Sequence, residues 1–265
     1  MTTKTATRAR RAPRPLSAEE TSKLLALTKG ADTVELKLTV PETRSGFRST
    51  VAALEIDPLD AQLRQVFLFD TPDLLLNRKG VVARARRSQG RVDDSVIKLR
   101  PVDPSAMPAD LRKLPDFGVE VDVLPGGFVC SASFKAKMDT TGVRAMALGQ
   151  RPIRKLFNKG QRAFFTEHAP EGITLDELCV LGPMNVLKLK YVPSGYPRRL
   201  VVELWLYPDG SRILELSTKC APGEAFQVAA ETKAFLQERG VDLTGVQQTK
   251  TATALKFFAS ELQPT

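Results

Sequence analysis

Histidine is almost missing from this chain of 265 residues, in which His168 stands alone. A zinc centre built from several imidazoles is thereby excluded. A nucleophile–histidine–acid triad has one candidate base, and no elbow motif places a serine beside it. The three cysteines, Cys130, Cys179 and Cys220, are odd in number and far apart. That spacing suits neither a disulfide framework nor a thiolate cluster, and reads as reduced structural thiols. Aromatic residues make up only 6%, with Trp205 the one tryptophan, so base-stacking platforms for single-stranded nucleic acid are poorly supplied. No apolar run is long enough to span a bilayer and no signal-type segment follows the N-terminus. The expected setting is the cytosol, without a membrane partner. Positive charge, by contrast, is abundant: 39 Lys and Arg face 30 Asp and Glu, a formal net charge of +9. That surplus favours an anionic partner of some kind.

Residues 1–16 read as a disordered basic arm, with Lys4, Arg8, Arg10, Arg11 and Arg14, two prolines and no apolar periodicity. It reads first as a solvated tail, with a weak contact to nucleic acid as the alternative. From Ser17 onward the chain reads as one domain, residues 17–265. Ser17 and Glu20 form a capping box that opens a helix to about Lys29. Strands follow at Thr33–Val40, Arg64–Phe69, Val81–Arg87 and Ser95–Val102, with a helix over 45–55. Phe117–Val123 and Phe128–Lys137 form a hairpin about Pro125-Gly126-Gly127. Residues 142–165 are mostly helical, interrupted at Pro152. Leu178–Val192 contains a strand ending at Leu187–Tyr191, and a second hairpin joins Leu200–Tyr207 to Arg212–Lys219. A helix from Gly223 to Arg239 and a short segment end the chain. Eight or nine strands joined mostly by short connections predict an α+β fold dominated by an antiparallel barrel with flanking helices.

The chemistry lies in the alternation. Residues two apart on a strand share a face. Six strands each show a charged pair on one face: Glu35 and Lys37, Arg84 and Arg86, Lys98 and Arg100, Lys135 and Lys137, Lys188 and Lys190, Glu215 and Lys219. Their opposite faces carry Val34, Leu36, Ala83, Ala85, Ile97, Leu99, Phe134, Ala136, Leu187, Leu189, Leu214 and Leu216. A single such strand fits any sheet wetted on one side. Six together place many cations and two carboxylates side by side, and like charges on neighbouring strands repel. A multiply charged anion relieves that repulsion. Closing the sheet turns this face inward and yields a cation-lined tunnel, in which Arg forks and Lys ammonium groups suit phosphate oxygens.

These residues resemble the CYTH superfamily, also called triphosphate tunnel metalloenzymes. The similarity is carried by Val34-Glu35-Leu36-Lys37-Leu38, by Phe69-Asp70-Thr71-Pro72-Asp73-Leu74 and by Gly80-Val81-Val82-Ala83-Arg84-Ala85-Arg86-Arg87. The late Leu214-Glu215-Leu216-Ser217-Thr218-Lys219 and the helix after it add to it, and about residues 30–260 are covered. The resemblance implies an eight-stranded antiparallel tunnel and a requirement for Mg²⁺ or Mn²⁺. It implies phosphate contacts from Lys37, Arg84, Arg86, Lys98 and Lys219, and metal ligation with catalysis by Glu35 and Glu215. Arg100, Lys135, Lys137, Lys188 and Lys190 join the substrate-binding set by alternation. Two positions depart from the family pattern, Thr33 in the opening E-x-E-x-K motif and Ser217 after Glu215; both fall on acidic positions. Glu203 is a possible replacement, yet a two-residue turn at Asp209-Gly210 pairs 204 with 215 and points Glu203 the other way.

Three functions follow as expectations. The first is metal-dependent hydrolysis of a triphosphate or polyphosphate, with inorganic triphosphate as default. The second is a non-catalytic module binding polyphosphate or a nucleoside triphosphate. A class IV type of adenylate cyclase is the rival enzyme to the first, and the third function is nucleic-acid binding through the arm and the basic surface. Asp70 reads as a cap or turn residue before Pro72, His168 as a lone structural histidine, and Trp205 as packing.

Overall fold

The computed structural model describes residues 14–42, 46–244, 247 and 250–262. Nine strands close into a barrel: β1 (Thr33–Val40), β2 (Gln62–Asp70), β3 (Val81–Ser88), β4 (Asp94–Leu99), β5 (Phe117–Leu124), β6 (Gly127–Lys137), β7 (Cys179–Tyr191), β8 (Leu200–Leu206) and β9 (Arg212–Cys220). Around the barrel they run β1-β5-β6-β4-β3-β2-β7-β8-β9 and back to β1. Among the described residues eight α-helices accompany them: α1 (Ala18–Gly30), α2 (Gly46–Ala53), α3 (Leu75–Arg78), α4 (Ala109–Arg112), α5 (Gly142–Ala147), α6 (Lys159–His168), α7 (Ala225–Glu238) and α8 (Lys250–Leu262). The expected eight antiparallel strands are thus corrected to nine in a mixed barrel. β1 runs parallel to β5, Glu35 beside Asp122, while every other pairing is antiparallel. Short hairpins announce antiparallel neighbours; β1 and β5 are joined by no hairpin, so their direction had no local signal.

Alternation sets the layers. Val34, Ala83, Ala85, Ile97, Val119, Ala132 and Phe134 point outward into a core shared with Leu24 of α1, Val143 and Met146 of α5 and Phe164 and Phe165 of α6. On the other flank Leu38, Val40, Leu200, Val202, Leu214 and Leu216 pack on Phe235 and Leu236 of α7. Each such burial contributes about 1.5–3 kcal/mol, so the helices wrap the barrel's outside and the polar face is left inside. The α6 cap is doubly fixed. Asn158 and Gln161 form a capping box, and the buried Gln161 Nε2 donates to the carbonyls of Ser95 (3.1 Å) and Phe134 (3.0 Å). Asp70 caps as expected: its carboxylate accepts from the amides of Thr71 (2.8 Å), Leu76 (2.9 Å) and Asn77 (3.0 Å).

Boundaries differ from the sequence reading at β4, which ends at Leu99 rather than Val102, and at both ends of the chain. β7 fills Cys179–Tyr191 of the segment 178–192 expected to contain a strand. Its Gly182-Pro183 step interrupts the hydrophobic pattern and coincides with a register shift opposite Val66 and Leu68 of β2. The short C-terminal segment is the helix α8, whose Ala254 and Leu255 insert among Val66, Leu68, Met184, Trp205 and Ile213 on the barrel's inner face. Of the arm assigned to residues 1–16, residues 1–13 lie outside the described part. Arg14 ion-pairs with Glu20 of α1, and Leu16 packs on the core.

Candidate functional site

The inner faces of the strands enclose a cavity of about 930 Å³ lined by thirteen Lys and Arg side chains and eight Asp and Glu side chains. All twelve site residues named from sequence lie on its wall.

One side is cationic. Arg84 and Arg86 come from β3, and Lys98 with Arg100 from β4 and its exit. Lys135 and Lys137 come from β6. Arg86 Nε donates to Asp94 at 2.9 Å, but among the described residues Arg84 has no carboxylate ion pair and its buried Nε meets no acceptor. Burial, then neighbouring Arg86, pushes the Arg84 guanidinium down to about 10. Burial likewise pushes Lys98 down to about 8, against the pull of Asp122. Lys135 is lowered for the same reason. These are cations held in a place that penalises charge, so an anion entering the cavity gains unusually strong partners.

Carboxylates gather opposite. Glu35 of β1 and Glu120 and Asp122 of β5 bring an oxygen each within 4.8 Å of one another. The parallel register puts Thr33 beside Glu120 and Glu35 beside Asp122. Lys37 Nζ lies 2.8 Å from Asp122 and 3.2 Å from Glu35; Lys219 pairs with Glu120 and lies 3.7 Å from Glu35. Burial alone would raise the Glu35 carboxyl, yet Lys37, Lys219 and Lys250 hold it down at about 2. The two departures noted in the sequence are close by: Thr33 Oγ1 donates to Glu120 (3.2 Å) and Ser217 Oγ to Glu35 (3.1 Å). Three oxygen donors of this kind suit Mg²⁺ or Mn²⁺, so the residues fit a divalent ion.

Glu215 is not part of that group. It stands opposite Thr39, four residues along β1 from Glu35, about 13 Å at the strand rise. It sits instead with Glu203, its direct partner on β8. The expectation that Glu203 points away is therefore corrected. The β8–β9 connection is a three-residue loop, closed by Tyr207 N to Ser211 O at 3.0 Å with Gly210 at φ +81°. The extra residue moves the register by one and brings Glu203 inside. Lys188 of β7 ion-pairs with Glu203, and Lys250 of α8 ion-pairs with both Glu203 and Glu215.

Sequence reasoning missed Glu120, Asp122, Arg64 and Lys250, all on the cavity wall. Glu120 and Asp122 had a signal, since they alternate with Val119, Val121 and Val123 as cleanly as the cationic pairs do. Lys250 had none. His168 lies off the cavity wall, its Nδ1 2.9 Å from Phe164 O and its ring on that phenylalanine.

No family model and no curated protein matches the sequence. Solved structures do. One is a protein from Hippeastrum named for adenylyl cyclase and found to have a dominant triphosphatase activity. It superposes with a TM-score of 0.62 at 18% identity, over 84% of this chain and 95% of that one. A protein from Bacillus halodurans, named for adenylate cyclase, superposes at 0.56 and 13% identity, over 84% of this chain and 98% of that one. The closed barrel expected from the CYTH resemblance is thus a fold shared with proteins of these names. Among the described residues no helix is long and apolar enough to cross a membrane.

Proposed function

We propose that this chain is a divalent-metal-dependent triphosphatase of the CYTH superfamily, acting on inorganic triphosphate inside the barrel. One observation carries the reading. Six Lys and Arg side chains on β3, on β4 and its exit and on β6, among them Arg84 with an unsatisfied Nε, share one cavity with a three-carboxylate group on β1 and β5. The dominant triphosphatase activity of the Hippeastrum neighbour supports the same reading.

In this reading Arg84, Arg86, Lys98, Arg100, Lys135 and Lys137 take the phosphate oxygens. Arg forks fix orientation, and the ammonium groups neutralise charge that builds on the transferring phosphoryl group. Lys188, Lys190 and Lys219 extend the binding face. Glu35, Glu120 and Asp122 would hold Mg²⁺ or Mn²⁺, which supplies charge neutralisation and an activated water when bound. Lys37 keeps Glu35 and Asp122 ionised and correctly aimed. Enclosure by the barrel strengthens every charge inside it.

A second reading has its own observation. Every carboxylate of the group already meets a lysine, as a metal-free receptor for triphosphate or nucleotide would require. Phosphate release from inorganic triphosphate, with and without Mg²⁺ or Mn²⁺, separates the two. Release that needs metal and falls at least 100-fold in Glu35→Ala supports the hydrolase. Tight triphosphate binding by calorimetry with no release under any metal would leave a receptor.

A further inference from the structure

The barrel interior holds two groups of carboxylates, matched by lysines of different origin. At Glu35, Glu120 and Asp122 the strand residue Lys37 lies 3.2 Å from Glu35 and 2.8 Å from Asp122, while Lys219, its side chain 47% exposed, pairs with Glu120. Glu203 and Glu215 face each other across β8 and β9 and are 8% and 3% exposed. Two enclosed carboxylates in register repel unless a cation stands between them. The side chain of Lys250 fills that position. Its Nζ ion-pairs with Glu203 Oε2 and lies 2.6 Å from Glu215 Oε1. Lys188 takes Oε1 of Glu203, and Trp205 Nε1 donates to Oε2 at 3.1 Å.

Lys250 is also immobilised. It opens α8, and its carbonyl accepts from the Tyr207 hydroxyl at 3.1 Å. Its ammonium lies 5.2 Å over the Trp205 ring. One turn further, Ala254 and Leu255 are buried among the apolar side chains of the inner face. These contacts hold the ammonium beside the two carboxylates. Two carboxylates matched by Lys188 and Lys250 keep no net charge with which to attract an ion.

We propose that Lys250 is a tethered cation standing where a divalent ion would otherwise bridge Glu203 and Glu215, so that this lumen takes metal only at Glu35, Glu120 and Asp122. The second half rests on the metal reading above; the first does not. Neutralising Lys250 frees Glu215 Oε1 and one of the two contacts on Glu203 Oε2, which keeps Trp205 Nε1, and so opens one carboxylate oxygen from each strand to Mn²⁺ together with water.

The test titrates the full chain with Mn²⁺ in the absence of phosphate and counts bound ions by loss of the free Mn²⁺ resonance signal. The native chain binds one ion, Lys250→Met binds two, and adding Glu215→Gln to Lys250→Met returns the count to one. Lys250→Arg, which keeps the charge, stays at one. A native chain that binds two ions overturns the proposal. So does a Lys250→Met chain that keeps its native circular dichroism and gains no ion. If Lys250→Met loosens α8, Lys250→Gln is read by the same count. None for the native chain and one for Lys250→Met would sink the metal reading at Glu35 while the role of Lys250 stands.

Discussion

The residues that matter most here are cations placed where charge is costly. Lys98 is the sharpest case, because burial pushes its ammonium from an ordinary 10.5 down to about 8. Two pH effects of opposite sign follow. The folded, empty protein holds fewer protons than the unfolded chain between about 8 and 10.5, so this residue's penalty on stability is relieved as pH rises through that window. Triphosphate needs the charged form and therefore binds more weakly across the same window. One proton taken up on binding gives up to about a tenfold loss of affinity per pH unit above 8. Calorimetry on the metal-free protein at pH 8.5–9.5, in buffers of different ionisation heat, measures that proton directly. Lys188, also lowered to about 8 by burial, contributes a second proton. Lys98→Met should reduce the uptake by one; an unchanged uptake would show that Lys98 is charged throughout.

At the scale of elements, the alternation of charged and apolar residues was the legible part, and it read the lumenal face of six strands from local pattern alone. What escaped it was register, and register depends on single residues in turns and bulges. One residue more in the β8–β9 loop turned Glu203 inward, and no periodicity declares loop length. Closure between β1 and β5, and the entry of α8 into the barrel, join segments distant in the chain and leave no local mark either. Gly182 shows how little sequence such a decision takes. It sits at φ +150° in β7 where the ladder with β2 shifts, and a Cβ there would lie 2.8 Å from Val66 O. Alanine has neither the backbone freedom nor the room. Gly182→Ala is expected to cost about 1–3 kcal/mol in chemical denaturation, with triphosphate affinity falling because Lys188 and Lys190 lie downstream on the same strand. A variant as stable as the native chain would show that the bulge relaxes freely.

For the molecule as a whole, the fold is a barrel turned inside out, with apolar layers outside under helices and charge within. Such an interior is a poor core, since the thirteen cations lining it outnumber its eight carboxylates and repel one another. The stability of the empty protein rests on the outer layers and on α8, and the bound anion supplies what the interior lacks. Ligand binding must therefore appear as stability. At free triphosphate one hundred times the dissociation constant, linkage adds about 2.7 kcal/mol, which for a chain of this size raises Tm by roughly 5–10 °C. Arg84 separates the two halves of the argument, because its guanidinium is enclosed, lacks a carboxylate ion pair among the described residues and leaves Nε unsatisfied. Arg84→Met keeps the volume and removes the charge. The empty variant is expected to melt at or above the native Tm, while its shift with the same triphosphate concentration shrinks to less than half. Differential scanning calorimetry of both proteins, with and without triphosphate, decides it. A variant that melts lower when empty yet keeps the full ligand shift would make Arg84 a structural residue and move the anion site elsewhere on the wall.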